Sequence, residues 1–130
     1  MNQSTRIVWL LVAASVAGAH AQDRGSSGNP DQMPIVEVVG CLSQSGPDWI
    51  LSDATDPAVT PTSFTTPEAL RAAAEKPLGN QKYRLLGTSP FSPDRHKGHK
   101  MAVKGLLIKN GSESRLNVTS FQMLAETCAK

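Results

Sequence analysis

The residues of this chain best suited to metal chemistry are one acid and two histidines that lie close together. Asp94, His96 and His99 follow an Asp-x-His-x-x-His spacing, and a short turn could bring their oxygen and nitrogen atoms around one ion. A structural turn is the competing interpretation, because Gly98 suits a turn and the lysines beside the histidines would repel a cation. If the three side chains do bind a metal, the protein is a periplasmic metal-binding accessory protein, which is the alternative functional hypothesis.

A second group of residues could bind a ligand by stacking and charge. Trp49 lies in a predicted second strand, and Lys82, Tyr83 and Arg84 lie in a predicted third strand. Aromatic rings flanked by cations are typical of stacking platforms. Burial is the other interpretation of the two rings, because aromatic residues make up only 5% of the chain and a small core needs them.

Enzyme chemistry finds little support in the sequence. Serine, histidine and aspartate are all present, but no nucleophile elbow, phosphate-binding glycine loop or paired-carboxylate motif is found. We therefore predict a protein that is not an enzyme and that carries no cofactor.

The first 21 residues have the features of a cleavable signal peptide. Arg6 supplies a positive charge, an apolar run follows it, and Ala19-His20-Ala21 offers small residues at a cleavage site. The apolar run is roughly 13 residues long, well short of the ~20 that a membrane-spanning helix needs. We expect cleavage after Ala21, export to the periplasm or the extracellular space, and no stable membrane insertion.

Export changes what the two cysteines can do. An oxidising compartment allows Cys41 and Cys128 to form an internal disulfide. Two buried thiols or an intermolecular bridge are the alternatives.

The charge balance argues against a nucleic-acid partner. The formal net charge is +2, and it falls to +1 without the leader because 12 basic residues then face 11 acidic ones. So small an excess gives no electrostatic basis for binding a polyanion.

The rest of the chain divides into a tail and one domain. Residues 22–33 are polar and rich in glycine and serine, which predicts a flexible tail. Residues 34–130 then show five strand patterns, which begin at Ile35–Leu42, where Gly40 indicates a bulge or bend. The remaining predicted strands are Trp49–Leu51, Lys82–Leu86, Met101–Lys109 and Arg115–Leu124.

The segments between the strands carry turn and helix signals. Residues 54–64 contain two prolines among threonines and predict a loop. A helix follows, capped by Thr65 or Thr66, with Pro67 in its first turn and Glu68 completing a capping box with Thr65. Ala69 to Lys76 are strong helix formers, and Pro77 and Gly79 end the helix.

The last two strands carry the clearest hairpin pattern in the sequence. Asn110-Gly111 is a strong hairpin signal between them. The alternation of apolar residues shifts by one near Thr119-Ser120, which indicates a bulge in the last strand.

Several motifs resemble a group of exported bacterial OB-like proteins without an established activity. They are V-E-V-V-G-C-L at residues 36–42, the segment Trp49–Asp53, Y-R-L-L-G at 83–87, H-K-G-H-K-M-A-V-K-G at 96–105, and the terminal cysteine. The chain departs from the pattern by a long insertion at residues 54–80. The resemblance implies an all-β, five-stranded OB-like barrel with one short inserted helix.

The functional expectation is an exported, non-enzymatic binding or interaction module. Its partner is an unidentified protein or small molecule, presented by the loops at residues 43–48 and 110–114 together with the Trp49/Tyr83 face. Fold alone does not assign the ligand.

Overall fold

The computed structural model describes residues 33–128, so the predicted signal peptide and all but the last residue of the predicted tail lie outside the described residues. The described chain is mostly β, with one α-helix. Its elements are β1 (Ile35–Ser45), β2 (Asp48–Ala54), β3 (Ala58–Val59), α1 (Pro67–Ala74), β4 (Gln81–Leu86), β5 (Lys100–Asn110) and β6 (Glu113–Ala125), with 3₁₀ turns at Ser89–Phe91 and Pro93–His96.

Five of the strands close into a ring. The order around the ring is β1, β2, β4, β6, β5 and back to β1, and β3 adds to the free side of β1. All neighbouring strands are antiparallel except β4 and β6, which are parallel from Arg84 opposite Arg115 to Leu86 opposite Asn117. These five strands correspond to the five that the sequence predicts.

The ring can close because β1 changes partner along its length. Residues 35–41 pair with β5, and residues 41–45 pair with β2. Gly40 lies where this change occurs, and a Cβ atom there would stand 2.9 Å from the carbonyl oxygen of Ser52. The predicted bend at Gly40 therefore coincides with a close approach of two strands, which only a residue without a side chain allows.

The interior of the ring is filled by alternating residues of all five strands. Its fully buried side chains include Leu42, Leu51, Met101, Val103 and Leu116. Successive residues of a strand point to opposite faces, so every second side chain faces the interior of the ring and the side chains between them face outward.

The β5–β6 hairpin confirms one sequence prediction and corrects another. Lys104 pairs with Ser120 and Gly105 pairs with Val118, so Thr119 is the extra residue of the predicted bulge. The turn itself is displaced by one residue. Asn110 pairs with Glu113, and the two-residue loop between them begins with Gly111 at φ +62°. Glycine at the first central position is typical of a type II′ turn, so Asn110 ends the strand instead of forming the turn.

Helix α1 begins at Pro67 and is capped by Thr66, one of the two predicted caps, and it ends at Ala74, before the predicted end at Lys76. The Thr66 hydroxyl accepts a hydrogen bond from the Ala69 amide at 3.2 Å, and Glu68 pairs with Arg71 one turn on. The predicted capping box between Thr65 and Glu68 is therefore wrong, because Thr66 is the residue that precedes the first helical turn.

Helix α1 packs on the outside of the ring. Ala73 is buried with Val39 and Ala102, and Leu70 and Leu124 pack around them. The helix contacts β5 and β6, and its C-terminal end is held by Lys100, whose Nζ donates to the carbonyls of Ala74 and Lys76 at 3.0 and 2.8 Å. A lysine at this position also complements the helix dipole.

The segment predicted as loop 54–64 contains a two-residue strand, β3. Val36 pairs with Val59 and Glu37 with Ala58. Lys104 fixes the rest of the segment, because its buried Nζ donates to the Phe64 carbonyl at 2.6 Å and to the Thr62 hydroxyl at 3.3 Å. The prolines prevent a longer strand, so the segment lies over the sheet through side-chain contacts.

The predicted disulfide between Cys41 and Cys128 is present, with the two Cα atoms 5.9 Å apart. It joins β1 to the residues that follow β6. Within residues 33–128, no helix has the length and apolar character needed to cross a membrane.

Candidate functional site

The structure separates the four residues of the predicted ligand face. Trp49 pairs with Leu85, Leu51 with Tyr83, and Ile50 with Arg84. Tyr83 is buried in the core, and Trp49 is half-buried against it. The predicted aromatic platform is therefore not formed, because strand alternation turns both rings toward the interior and leaves Lys82 and Arg84 on the outer face.

Tyr83 has a structural role that its position explains. Its hydroxyl donates to the Thr55 carbonyl at 3.2 Å, which fixes the chain just after β2. Burial raises the pKa of the Tyr83 phenol, and the negative charge of Asp56 raises it further. The folded protein therefore favours the neutral phenol.

Tyr83→Phe should lower the free energy of unfolding by about 1 kcal/mol at pH 8, the usual net value of one hydrogen bond. Because the pKa of Tyr83 is higher in the folded state, ionisation favours unfolding as the pH rises above the ordinary value of about 10. The advantage of the wild type over the variant should then shrink. Urea unfolding of both proteins at several alkaline pH values measures the difference between their free energies of unfolding. The titration of the lysines is common to both proteins and cancels in that difference. A difference that stays constant with pH would contradict this account.

The outer faces of β2 and β4 form one wall of a shallow groove of about 320 Å³. Ile50, Lys82 and Arg84 line it from these two strands. The hairpin ends supply the remaining lining residues, Asp48, Ser112, Glu113 and Ser114. We call this the hairpin groove. The two loops predicted to bind a partner, at residues 43–48 and 110–114, therefore lie at the same groove.

Arg84 is the central charge of the hairpin groove. Its guanidinium donates to Asp48 Oδ1 at 2.9 Å and to Glu113 Oε1 at 3.4 Å. Glu113 also accepts from Arg115 at 2.7 Å. The hydrogen bond with Asp48 raises the pKa of Arg84, and the hydrogen bond from Arg115 lowers the pKa of Glu113. These four charged side chains are about a third exposed, so they order the groove more than they stabilise the fold.

A second groove of about 330 Å³ lies between β1, β3 and the start of α1. Its lining includes Glu37, Val59, Phe64, Lys76 and Lys104. Lys76 pairs with Glu37 at 3.1 Å, and Lys104 is already bound to the loop above it. The polar groups of this groove therefore hold the chain itself together, although Val59 and Phe64 are exposed at its edge.

The structure brings together two of the three predicted metal ligands. The Nδ1 atoms of His96 and His99 are 3.4 Å apart. Asp94 is exposed and does not join them, and no group of three or more His, Cys, Asp or Glu side chains suited to an ion occurs between residues 33 and 128. Asp94 and His96 are two residues apart within the 3₁₀ turn at Pro93–His96, so their side chains point in different directions. His99 lies beyond that turn, and its amide donates to the His96 carbonyl at 3.0 Å, which brings the two histidines together.

Asp48 and Glu113 lie in the two loops predicted to bind a partner, but their ion pairs with Arg84 were not predicted from the sequence. Asp48 and Glu113 are 65 positions apart in a chain with no motif that links them, and only the ring brings both beside Arg84. Both residues lie just before a predicted strand, next to a hairpin turn, which marks them as charged residues near the strand ends. The order of the strands was needed to show that they lie together.

Fold and site together define a small, mostly β protein with a polar groove between two hairpin ends. Comparison of the chain with protein-family models, curated proteins and solved structures returns no match.

Proposed function

We propose that this protein is an exported, non-enzymatic binding module with an OB-like barrel, and that it binds its partner in the hairpin groove. The strand order supports the OB-like assignment. OB folds are five-stranded barrels that bind ligands over their second and third strands, between the first hairpin loop and the loop joining the last two strands. In this chain β2 and β4 are the second and third strands of the ring, and the hairpin groove lies between the corresponding loops.

Export is supported by the leader pattern and by the disulfide. Structural disulfides persist mainly in oxidising compartments, and Cys41–Cys128 joins the two ends of the domain. The motif resemblance to exported OB-like proteins agrees with export. Two glycines of those motifs, Gly40 and Gly105, lie where strands approach each other closely, which supports the fold that the resemblance implies.

The observation that carries the proposal is the position of Arg84 in the groove. A partly exposed guanidinium held by two carboxylates keeps a fixed orientation, and it can exchange one partner for a ligand carboxylate or carbonyl. Lys82 is exposed beside it. The groove therefore offers both donors and acceptors, which suits a polar protein segment or a small polar molecule better than a polyanion.

Site-specific crosslinking tests directly whether the partner binds in the hairpin groove. A photo-reactive amino acid replaces Ile50, which lines the hairpin groove, or Val59, which lines the second groove. Both positions are aliphatic residues on strands, so they form a matched pair. After irradiation with an extract of exported proteins and metabolites, we expect a specific adduct from position 50 and none from position 59.

Arg84→Gln in the position-50 protein provides the second measurement. The variant should lose the adduct while keeping the far-ultraviolet circular dichroism of the parent, because its side chain is on the surface. An adduct from position 59 alone would assign binding to the second groove. An adduct from position 50 that is unchanged by Arg84→Gln would show that the ionic cluster does not bind the partner. Either result would overturn the proposal.

A further inference from the structure

The two histidines at the end of the second 3₁₀ turn and just beyond it, His96 and His99, form a cluster that the proposed binding function does not use. Both rings are half-buried, their centroids are 5.5 Å apart, and His96 also lies edge-on to Phe121 at 5.7 Å. They are on the side of the molecule where β1 meets the turn, and they do not line the hairpin groove.

The backbone holds both histidines in place. The His99 amide donates to the His96 carbonyl at 3.0 Å, which closes the turn between them. The Leu42 amide donates to the His99 carbonyl at 3.1 Å, and the Gly98 amide donates to the Leu42 carbonyl at 2.8 Å. These bonds tie the turn to β1 next to the disulfide. The two rings are therefore positioned by a fixed backbone before any ligand arrives, which lowers the cost of binding.

The separation of the ring nitrogens fits one kind of ion. Two nitrogens bound to a tetrahedral zinc ion at about 2.05 Å lie about 3.3 Å apart, whereas adjacent nitrogens on a square-planar ion lie about 2.9 Å apart. The distance between His96 Nδ1 and His99 Nδ1 is 3.4 Å. In the absence of metal, one ring can donate its Nδ1 proton to the other, and a metal ion would replace that shared proton.

The two neighbouring lysines repel a cation at the histidine pair less than the sequence indicates. Lys97 and Lys100 flank the pair in sequence, but the ammonium of Lys100 is bound to two carbonyls at the end of α1. Lys97 is exposed, where solvent screens its charge. One of the two cations expected to repel a metal is therefore engaged elsewhere.

We propose that His96 and His99 form an exchangeable zinc site through their Nδ1 atoms, with two coordination positions left open. Asp94 is not a ligand of this site. Two protein ligands hold the ion less firmly than the four of a structural zinc site, and the open positions allow water or a ligand from a second molecule to complete the tetrahedron.

The test uses the full chain with His20→Gln, because His20 is the one other histidine of the sequence and its removal leaves only His96 and His99. Zinc is added to a protein whose histidines carry a ¹⁵N label, and the ring nitrogens are observed by nuclear magnetic resonance. We expect the Nδ1 signals of His96 and His99 to change together and to saturate at one zinc per chain. Cobalt should give the strong visible absorption of a tetrahedral site.

Three single variants and the double variant His96→Gln/His99→Gln separate this site from its alternatives. His96→Gln and His99→Gln should each weaken zinc binding by at least about tenfold, and Asp94→Asn should leave it unchanged. Ring signals that do not respond to about a tenfold excess of zinc would overturn the proposal. So would binding that survives in the double histidine variant, or a loss in Asp94→Asn as large as that in His96→Gln.

Discussion

Replacing both cysteines by alanine should lower the free energy of unfolding by about 4 to 5 kcal/mol. The bond between Cys41 and Cys128 closes a loop with a sequence separation of 87, and the chain-entropy model gives this value for a loop of that length. A small domain has about 5 to 15 kcal/mol in total. The double variant should therefore be partly unfolded near body temperature. Urea denaturation of the oxidised wild type and of the variant measures the difference.

Reducing agent provides the control for this prediction. It should destabilise the wild type to nearly the level of the double variant, and it should leave the double variant unchanged. If the oxidised wild type and the variant unfold at the same urea concentration, the bond does not constrain the unfolded chain. The ring would then have to be held by its core and strand pairs alone.

Local sequence signals predicted the strands well, because each strand is recorded in its own residues. β-branched alternation marks β1 and β5, and the one-residue shift of apolar positions near Thr119 marks the bulge that the structure contains. The disulfide followed from the number of cysteines and the expected compartment, although the sequence left two alternatives open.

Contacts between distant segments could not be predicted in the same way. The pairing of β4 with β6 and the cluster around Arg84 depend on strand order, which no local pattern encodes. Period-two alternation could have shown that Trp49 shares a face with Leu51, and Tyr83 with Leu85; the register between the two strands then places all four on one face. It could not show that this face is the interior, since that depends on which side of the sheet closes.

Short-range details failed where two neighbouring residues could play the same part. Thr65 and Thr66 are both good helix caps, and the structure uses the second. Asn110 and Gly111 together suggest a turn, and the actual turn begins with Gly111. In each case the competing geometries differ by about 1 kcal/mol or less, so the tertiary contacts of the flanking strands decide the register.

The same close approach that lets β1 change partners makes Gly40 a position of the ring that does not tolerate a side chain. A Cβ atom at this position would lie 2.8 Å from Leu51 Cγ, 2.9 Å from Ala54 Cβ and 2.9 Å from the Ser52 carbonyl oxygen. Leu51 and Ala54 are fully buried, and Ser52 presents backbone. None of these neighbours can move without disturbing the pairing of β2 with β1 or β4.

Gly40→Ala should therefore lower the free energy of unfolding by about 3 kcal/mol, near the upper end for overpacking in a core. Gly46→Ala is the matched control, because it makes the same chemical change in a turn where no atom lies within 4 Å of the new Cβ. Gly46 has a φ of +59°, so the control should cost about 1 kcal/mol from backbone strain alone. Urea unfolding of the two variants compares them.

Leu51→Ala connects this prediction to its cause. The substitution should cost about 2 to 5 kcal/mol in the wild type, as expected for a buried leucine. It should cost less in the Gly40→Ala protein, because it removes one of the three atoms that the new methyl group contacts. The Ser52 carbonyl remains, so the relief should be partial. Two results would contradict this account: strictly additive effects of Gly40→Ala and Leu51→Ala, or equal effects of Gly40→Ala and Gly46→Ala. Either would show that β1 and β2 separate to accept a side chain, so that ring closure does not depend on this contact.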